Sequence, residues 1–510
     1  MVMSDWSNGY NKSEYTFGYY SELNPLNLKL AFINAGCVFP QVGRACELGF
    51  GQGVSVNIHA SASITEWHGT DFNSSQAGYA RDVAASAGTT ATLFDDSFAE
   101  YFLRDVPGKF DFISLHGIWS WISEKDREII VEFLRERLNV GGVLYISYNT
   151  SPGWSQFIPV RDLMMEHINS GPRSTGMDEG ITNALSFADE LASVSPRALI
   201  SSDTVTTQIQ NMKDQDRKYL AHEFFNQSWY PMSFSLAATE LSKAKLEFVC
   251  SANYLEHIDG VQLSDSQRKF LSQIRDPRLK ESTKDHMVNQ RFRKDYWVRG
   301  KRSLSKTEQF RELDNLKIII STTRANLLES VPTPLGSAKI NKPIYDAICS
   351  AMGDFKPVTF KELHNRITTE FPKNQIVQSL MVLCHVGVLH FVQSDEVIES
   401  TTPKTRALNQ LTMKRTAAGH FVGFLASPVT GGGYAVSRAE QLFIIEGLSQ
   451  TSEIKPTAAR VWKILKGQSQ VLLKNNAPIS GDEDNLKRLN EIGLEFINHR
   501  QVVLKALAII

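Results

Sequence analysis

Between residues 44 and 147, short apolar runs alternate with longer stretches whose apolar positions recur at helical spacing. Arg44–Leu48, Ile64–Thr70, Thr90–Phe94, Phe110–Leu115 and Gly142–Ser147 read as five strands. Val54–Ser61, Ser74–Ala87 and Arg127–Leu138 read as the helices between them, with Gly141-Gly142 as the turn into the fifth strand. Strands separated in this way by helices predict an α/β fold, a doubly wound sheet with a mostly parallel core.

The alternation then breaks and resumes. Met232–Ala244 reads as a helix, and Leu246–Ala252 and Asp295–Arg299 as two more strands. Residues 155–230 are therefore a mainly helical insertion, placed at the edge of the sheet where open α/β folds bind ligands, and so a candidate lid. Ahead of the sheet, residues 15–35 gather aromatics, and Asn24-Pro25 opens a helix from Leu26 to Asn34.

The domain order expected is a core at 1–154, the insertion at 155–230 and completion of the sheet at 231–300. A polar linker with a Pro332-Thr-Pro334 break then spans 301–338. Residues 339–400 run helix Pro343–Met352, helix Thr359–Thr368, helix Lys373–Cys384, Gly387 and strand Val388–Val392, in the order of a winged-helix-like module. Residues 401–510 read as mainly helical. Within them Leu425–Ser437 reads as a glycine-rich loop, and Leu486–Ile497 echoes Leu380–Phe391 as a second helix–glycine–strand unit.

Charge narrows the classes of partner. The 510 residues carry 54 Lys and Arg against 55 Asp and Glu, a net charge of −1. That balance argues against a surface built for a phosphate backbone, and Lys373–Cys384 holds one lysine where a DNA-reading helix is basic. The five cysteines (Cys37, Cys46, Cys250, Cys349, Cys384) form no C-x-x-C pair, which argues against a zinc site and a disulfide framework. Met1–Tyr20 has no apolar signal core, and no run reaches the ~18 apolar residues of a membrane span. A cytoplasmic protein with no membrane span and no nucleic-acid partner is expected.

The chemistry starts at Ala45-Cys-Glu47-Leu-Gly49-Phe-Gly51-Gln-Gly53, where a strand ends in an acid and enters a turn with glycine at every second position. Glycines permit positive φ and let the backbone approach a ligand. The opening of the next helix offers its free N–H groups to a carboxylate or phosphate. A dinucleotide fingerprint needs its third glycine at position 54, which is Val54, so a nicotinamide enzyme is disfavoured. Asp71, 24 positions after Glu47, ends the second strand, where a carboxylate can accept both ribose hydroxyls.

Glu47-x-Gly49-x-Gly51-x-Gly53 resembles motif I of the class I S-adenosylmethionine methyltransferases. Phe110–Ser123, leading to Gly141–Trp154, resembles bacterial methyltransferases that carry a methyltransferase regulatory domain. Tyr219–Phe225, running through Trp229, Tyr230 and Pro231 to Phe292-Arg-Lys-Asp295, is similar to the regulatory segment itself. The rickettsial protein lysine methyltransferases that modify an outer-membrane surface protein belong to this group. The resemblance spans about residues 15–300 and implies a Rossmann-like, seven-stranded core. It implies S-adenosyl-L-methionine as cofactor and S-adenosyl-L-homocysteine as product. By the same resemblance Glu47, Gly49, Gly51 and Gly53 form the cofactor loop, and Asp71 holds the ribose. Asp95, Asp96 and Ser97 flank the adenine, with the aspartate that reaches its amine left open. His116 and Gly117 lie beside the methionine portion, and Tyr20 closes the pocket.

The acceptor side is read from chemistry. Methyltransferases of bases or glutamine place Asn/Asp-Pro-Pro-Tyr/Phe after the fourth strand; here that place reads His116-Gly-Ile-Trp119, which disfavours base methylation. A lysine amine, with a solution pKa of ~10.4, must lose a proton before it can attack. Trp119, Trp121, Tyr148 and Trp154 are candidates for an aromatic channel. The Tyr148 hydroxyl and Asn149 carbonyl are candidates to align the amine, and His222 with Glu223 to accept its proton. The expected partner is a protein substrate, for instance a surface or secreted protein before export, and the expected assembly includes a homodimer. A small-molecule methyltransferase and a non-catalytic cofactor-binding regulator stand as alternatives.

Overall fold

The computed structural model describes residues 17–172, 176–194, 196–197, 203–323, 327–367, 371–474 and 477–510. The N-terminal stretch up to residue 16 and Thr368, parts of two expected segments, lie outside these. Seven strands form one sheet: β1 (Arg44–Leu48), β2 (Glu66–Thr70), β3 (Thr92–Phe94), β4 (Phe110–Leu115), β5 (Leu138–Asn149), β6 (Leu246–Ser251) and β7 (Phe292–Arg299). Their order is β3-β2-β1-β4-β5-β7-β6. Strands β1 to β5 pair in parallel, and β7 runs antiparallel between β5 and β6. This is the class I methyltransferase sheet.

The side-chain period of two divides this sheet into two cores. Ala45, Phe112, Val143 and Tyr145 enter one, while Cys46, Ile113, Leu144, Ile146 and Tyr148 enter the other. Strand β5 is longer than expected. The Gly141-Gly142 turn lies inside it as an irregularity, because Leu138 already pairs with Phe110 before the register shifts.

The helices that position the site are α1 (Leu28–Asn34), α2 (Val54–Ala62), α3 (Ser74–Ala87), α4 (Phe98–Leu103) and α5 (Glu124–Arg137). Each of α3, α4 and α5 starts on a polar side chain that accepts its first free N–H groups: Asn73, Ser97 and Ser123. Helix α2 starts on Gly53 at φ +70°, where a Cβ would come within 2.4 Å of the Ala80 Cβ.

The insertion is helical, with Ile158–Ser170, Met177–Ser193, Asp203–Lys213 and Arg217–Glu223 packed around their own core of Phe157, Met164, Leu185 and Phe224. Between β6 and β7 the chain forms helices that the sequence reading missed, the longest being Pro277–Val288.

Three expectations for the C-terminal half are corrected. Residues 301–338 are no linker: Lys317–Ile320 is the central strand of a three-stranded sheet, between Val358–Thr359 and Leu389–Phe391, with Ile318 to Ile320 in the core. Leu425–Ser437 is not a plain loop, because Phe424–Ser427 and Gly432–Ala435 pair as an antiparallel hairpin. Leu486–Ile497 repeats no helix–strand unit. Helix Asp482–Glu495 continues through a π turn at Phe496–Arg500 into Gln501–Ala506.

The C-terminal half is packed directly onto the core. Helix Asp395–Ala417 lies on α2 and α3, and the hairpin packs on α2. Ser55 through Ala62 are consequently all buried. Covered by the sheet on one side and by this helix and hairpin on the other, α2 has no polar face to present to water. Among the described residues, no helix is long and apolar enough to cross a membrane.

Candidate functional site

A cavity opens at the carboxyl ends of β1, β2 and β4. Glu47, Gly49, Gly51, Asp71, Asp96, Ser97, His116, Gly117 and Tyr20, all anticipated, line it. Gly49 and Gly51 have φ of +73° and +56°, so the turn needs glycine at both. Asp71 fastens it: Oδ2 accepts the Gly51 N–H at 2.8 Å, and Oδ1 accepts the Asn73 N–H at 3.0 Å. Burial still pushes the Asp71 carboxyl up to about 6.

Glu47 is buried beside it. Its Oε2 has no hydrogen-bond partner, and burial, then the Asp71 charge, push it up to about 8. An orphaned acceptor at this depth is matched by a ligand that brings its own donor. The donor set as a whole, two desolvated carboxyls over a glycine turn with Phe72, Phe98 and Ile118 in the same wall, fits a nucleoside-bearing cation.

The two aspartates after β3 now separate. Asp96 lines the cavity while its carboxylate pairs with Arg104 at 2.5 and 2.8 Å; Asp95 turns outward to Arg81 at 3.1 Å. Ser97 caps α4, its hydroxyl donating to Glu100 at 2.8 Å. Gly53 stands one step behind the cavity, as the residue on which α2 begins. Tyr20 covers the opening: its backbone N–H donates to Ser55 Oγ at 3.1 Å, and its ring stacks on His116 at 3.7 Å. His116 Nδ1 lies 2.8 Å from the Tyr145 hydroxyl, and burial pushes the imidazole down to about 4, so it is neutral near pH 7.

None of the four residues put forward as catalytic lines this cavity. Tyr148 shares the parity of Leu144 and Ile146, so it points into the opposite core, where its hydroxyl donates to Asp295 at 2.9 Å. Trp119 is buried in the same core, with Nε1 3.2 Å from Met232 Sδ. Asn149 is buried and held through its backbone, N–H to Ser120 Oγ at 2.8 Å and carbonyl to the Met232 N–H at 3.0 Å. His222 is buried in helix Arg217–Glu223, and its carbonyl accepts from the Asn226 side chain. Of the channel candidates, Trp121 does line the cavity, while Trp154 packs in the insertion core. Sequence reading missed Ser55, Asn73, Gln76, Ser123 and Asp126 in the wall. The polar caps Asn73 and Ser123 could have been found from their position just before helices.

Residues 216–299 match the family model of a predicted methyltransferase regulatory domain. The chain is 34% identical to the protein sll1526 of Synechocystis sp. (strain ATCC 27184 / PCC 6803 / Kazusa), over 99% of each chain. It is 26% identical over 303 residues to RP789 of Rickettsia prowazekii, covering 56% of this chain and 52% of that one. In three dimensions it is similar to PKMT2 from Rickettsia typhi in complex with AdoHcy. That match has a TM-score of 0.68 and 18% identity, over 96% of this chain and 99% of the other.

Proposed function

We propose a function on the premise that this chain belongs to the family of the Synechocystis protein sll1526, with a class I methyltransferase fold and a methyltransferase regulatory domain. It is an S-adenosyl-L-methionine-dependent methyltransferase, and its acceptor is a lysine side-chain amine of a protein. The observation that carries the cofactor is the buried pair Glu47 and Asp71 over the glycine turn, with Glu47 Oε2 awaiting a donor.

In this reading Asp71 would hold ribose hydroxyls, Glu47 a hydroxyl or ammonium donor, and Phe72, Asp96 and Phe98 the base. When bound, the cofactor supplies a methyl group activated by a sulfonium. The chain's own residues position the acceptor and keep water out, which is most of what an in-line displacement requires. Tyr20, stacked on neutral His116, covers the opening without adding a charge to it.

Support for a protein acceptor comes from the far side of Tyr20. There a cleft of about 690 Å³ runs between the N-terminal arm, the winged-helix-like module and the Phe424–Ala435 hairpin. A cleft that size admits an extended peptide segment, which a small acceptor does not need. The insertion carrying Glu223 would serve as the lid, since Trp121 of the cavity wall bonds to it. The test is incubation with methyl-labelled S-adenosyl-L-methionine and a protein mixture. Base-stable label mapped to lysine is expected, whereas label confined to small molecules would overturn the protein acceptor.

A further inference from the structure

The arm that carries Tyr20 over the cavity has a single charged residue between Phe17 and Asn27, which is Glu22. The Glu22 carboxylate pairs with the Lys294 ammonium, and its backbone carbonyl accepts the Tyr296 hydroxyl at 3.1 Å. Farther along the arm, the Tyr254 hydroxyl donates to the Asn27 carbonyl. Lys294 and Tyr296 stand on β7 and Tyr254 just after β6, so all three contacts come from the segment that matches the regulatory-domain model. On its other side the arm meets the core, through the Tyr20 N–H to Ser55 Oγ at 3.1 Å and the Tyr20 ring on His116 at 3.7 Å. Tyr20 lines both the cavity and the cleft beyond it, whereas Glu22 and Lys294 line the cleft alone. Their side chains remain 20% and 30% exposed. Burial pushes the Glu22 carboxyl up, and the Lys294 charge outweighs that, so Glu22 lies below the ordinary glutamate range and is ionised near pH 7.

We propose that the segment matching the regulatory-domain model governs cofactor exchange through a latch, in which Lys294 holds Glu22 and Glu22 keeps Tyr20 closed over the cavity. The proposal rests on the reading of that cavity as the site of S-adenosyl-L-methionine. Glu22 and Lys294 are positioning residues: they act through Tyr20 and stand outside the cavity wall.

A hydrogen bond between two charged groups is the strongest of the ties that fasten the arm to β7. Glu22 lies two residues from Tyr20, a span of about 7 Å at full extension, so the Tyr20 backbone stays within that reach of β7 while Glu22 is held. Because the pair does not face the cavity, it holds the cover whether or not a ligand lies beneath. Its loss therefore speeds entry and exit together and leaves affinity nearly unchanged. Loss of a contact to the cofactor itself has a different signature, faster exit alone with affinity weakened in proportion.

The test uses the full-length protein and tritiated S-adenosyl-L-methionine, with association and dissociation rates measured by rapid filtration. Lys294→Met should raise both rates about tenfold, the low end for a lost hydrogen bond between charged groups, and Glu22→Gln should raise both in the same direction. The dissociation constant of each variant should stay within about threefold of the wild type, since both rates move together. Lys294→Arg keeps the charge and should exchange within about twofold of the wild type. The double variant Glu22→Gln/Lys294→Met should exchange no faster than Lys294→Met, because the same bond is lost in both. In a Tyr20→Ala background, where the cover is gone, Lys294→Met should add nothing. Wild-type rates in both single variants, or faster dissociation alone with affinity lost in proportion, would overturn the latch and leave the cofactor site standing. So would a full effect of Lys294→Met on top of Tyr20→Ala, which would show Lys294 acting by another route. A wild type that binds no S-adenosyl-L-methionine, or whose affinity is unchanged by both Glu47→Gln and Asp71→Ala, would overturn the reading of the cavity, and the latch with it.

Discussion

At the scale of single residues, Glu47 and Tyr148 carry opposite lessons. Glu47 holds its proton more tightly in the folded chain, at about 8, than the ordinary 4.5 of an unfolded glutamate. Its contribution to ligand-free stability is therefore greatest below pH 4.5, falls as pH rises toward 8, and is fully lost above that. Glu47→Gln removes this titration. On moving from pH 5 to pH 8, the ligand-free variant should lose fewer degrees of melting temperature than the wild type. The same variant should bind S-adenosyl-L-methionine at least about tenfold more weakly by calorimetry, the loss expected when a charged hydrogen bond becomes a neutral one. Tyr148 lies in the structural core, so Tyr148→Phe should leave turnover within about twofold. It should cost roughly 0.5–1.5 kcal/mol in urea unfolding, because Asp295 keeps Arg293 Nε at 2.8 Å.

At the scale of elements, α2 joins the cavity and the C-terminal half. Its amino end is the glycine turn, and its carboxyl end is closed by Gln393, whose Nε2 donates to the Ala62 carbonyl at 2.6 Å. Asn409 on helix Asp395–Ala417 fastens the hairpin beside it, accepting the Ala426 N–H at 2.7 Å and donating to its carbonyl at 2.8 Å. Both atoms work in a buried setting, so Asn409→Ala should cost about 1–3 kcal/mol. Limited proteolysis should then cut first in the Phe424–Ala435 hairpin; unchanged cleavage and stability would show that helix and hairpin are held by packing alone.

At the scale of the molecule, the C-terminal modules complete the catalytic core. Asn24 of the N-terminal arm donates to the Thr430 carbonyl at 2.9 Å, and Tyr19 bonds His59 of α2 at 3.2 Å while lying against Gly433. The arm that carries Tyr20 over the cavity of Glu47 and Asp71 is thus held from the far half of the chain. Residues 1–300 expressed alone would expose Ile58, which packs with Leu408 and Ala426. That fragment should aggregate, or remain soluble with cofactor affinity reduced at least about tenfold. A soluble fragment with full affinity would show that the arm needs no support.

What could be read from the amino-acid order is local. Alternating strands and helices, the glycine turn after Glu47 and the acid at Asp71 depend on backbone preferences within a few residues, and the turn that lines the cavity was legible for that reason. The two strands far downstream were found as apolar runs, but their antiparallel place beside β5 follows from packing. The residues read as candidates for the acceptor depended on tertiary placement throughout. Parity along β5 sends Tyr148 away from the cavity, and only the docked insertion brings the Glu223 backbone carbonyl to Trp121 of the cavity wall. The strand Lys317–Ile320, read as linker, became central because its partners lie about 40 and 70 residues further on. The amino-acid order determined the glycine turn and the two acids that line the cavity, because these need one turn and two strand ends. Tertiary structure alone decided which side chains share the cavity wall, because they come from separate segments that touch only when the chain is folded.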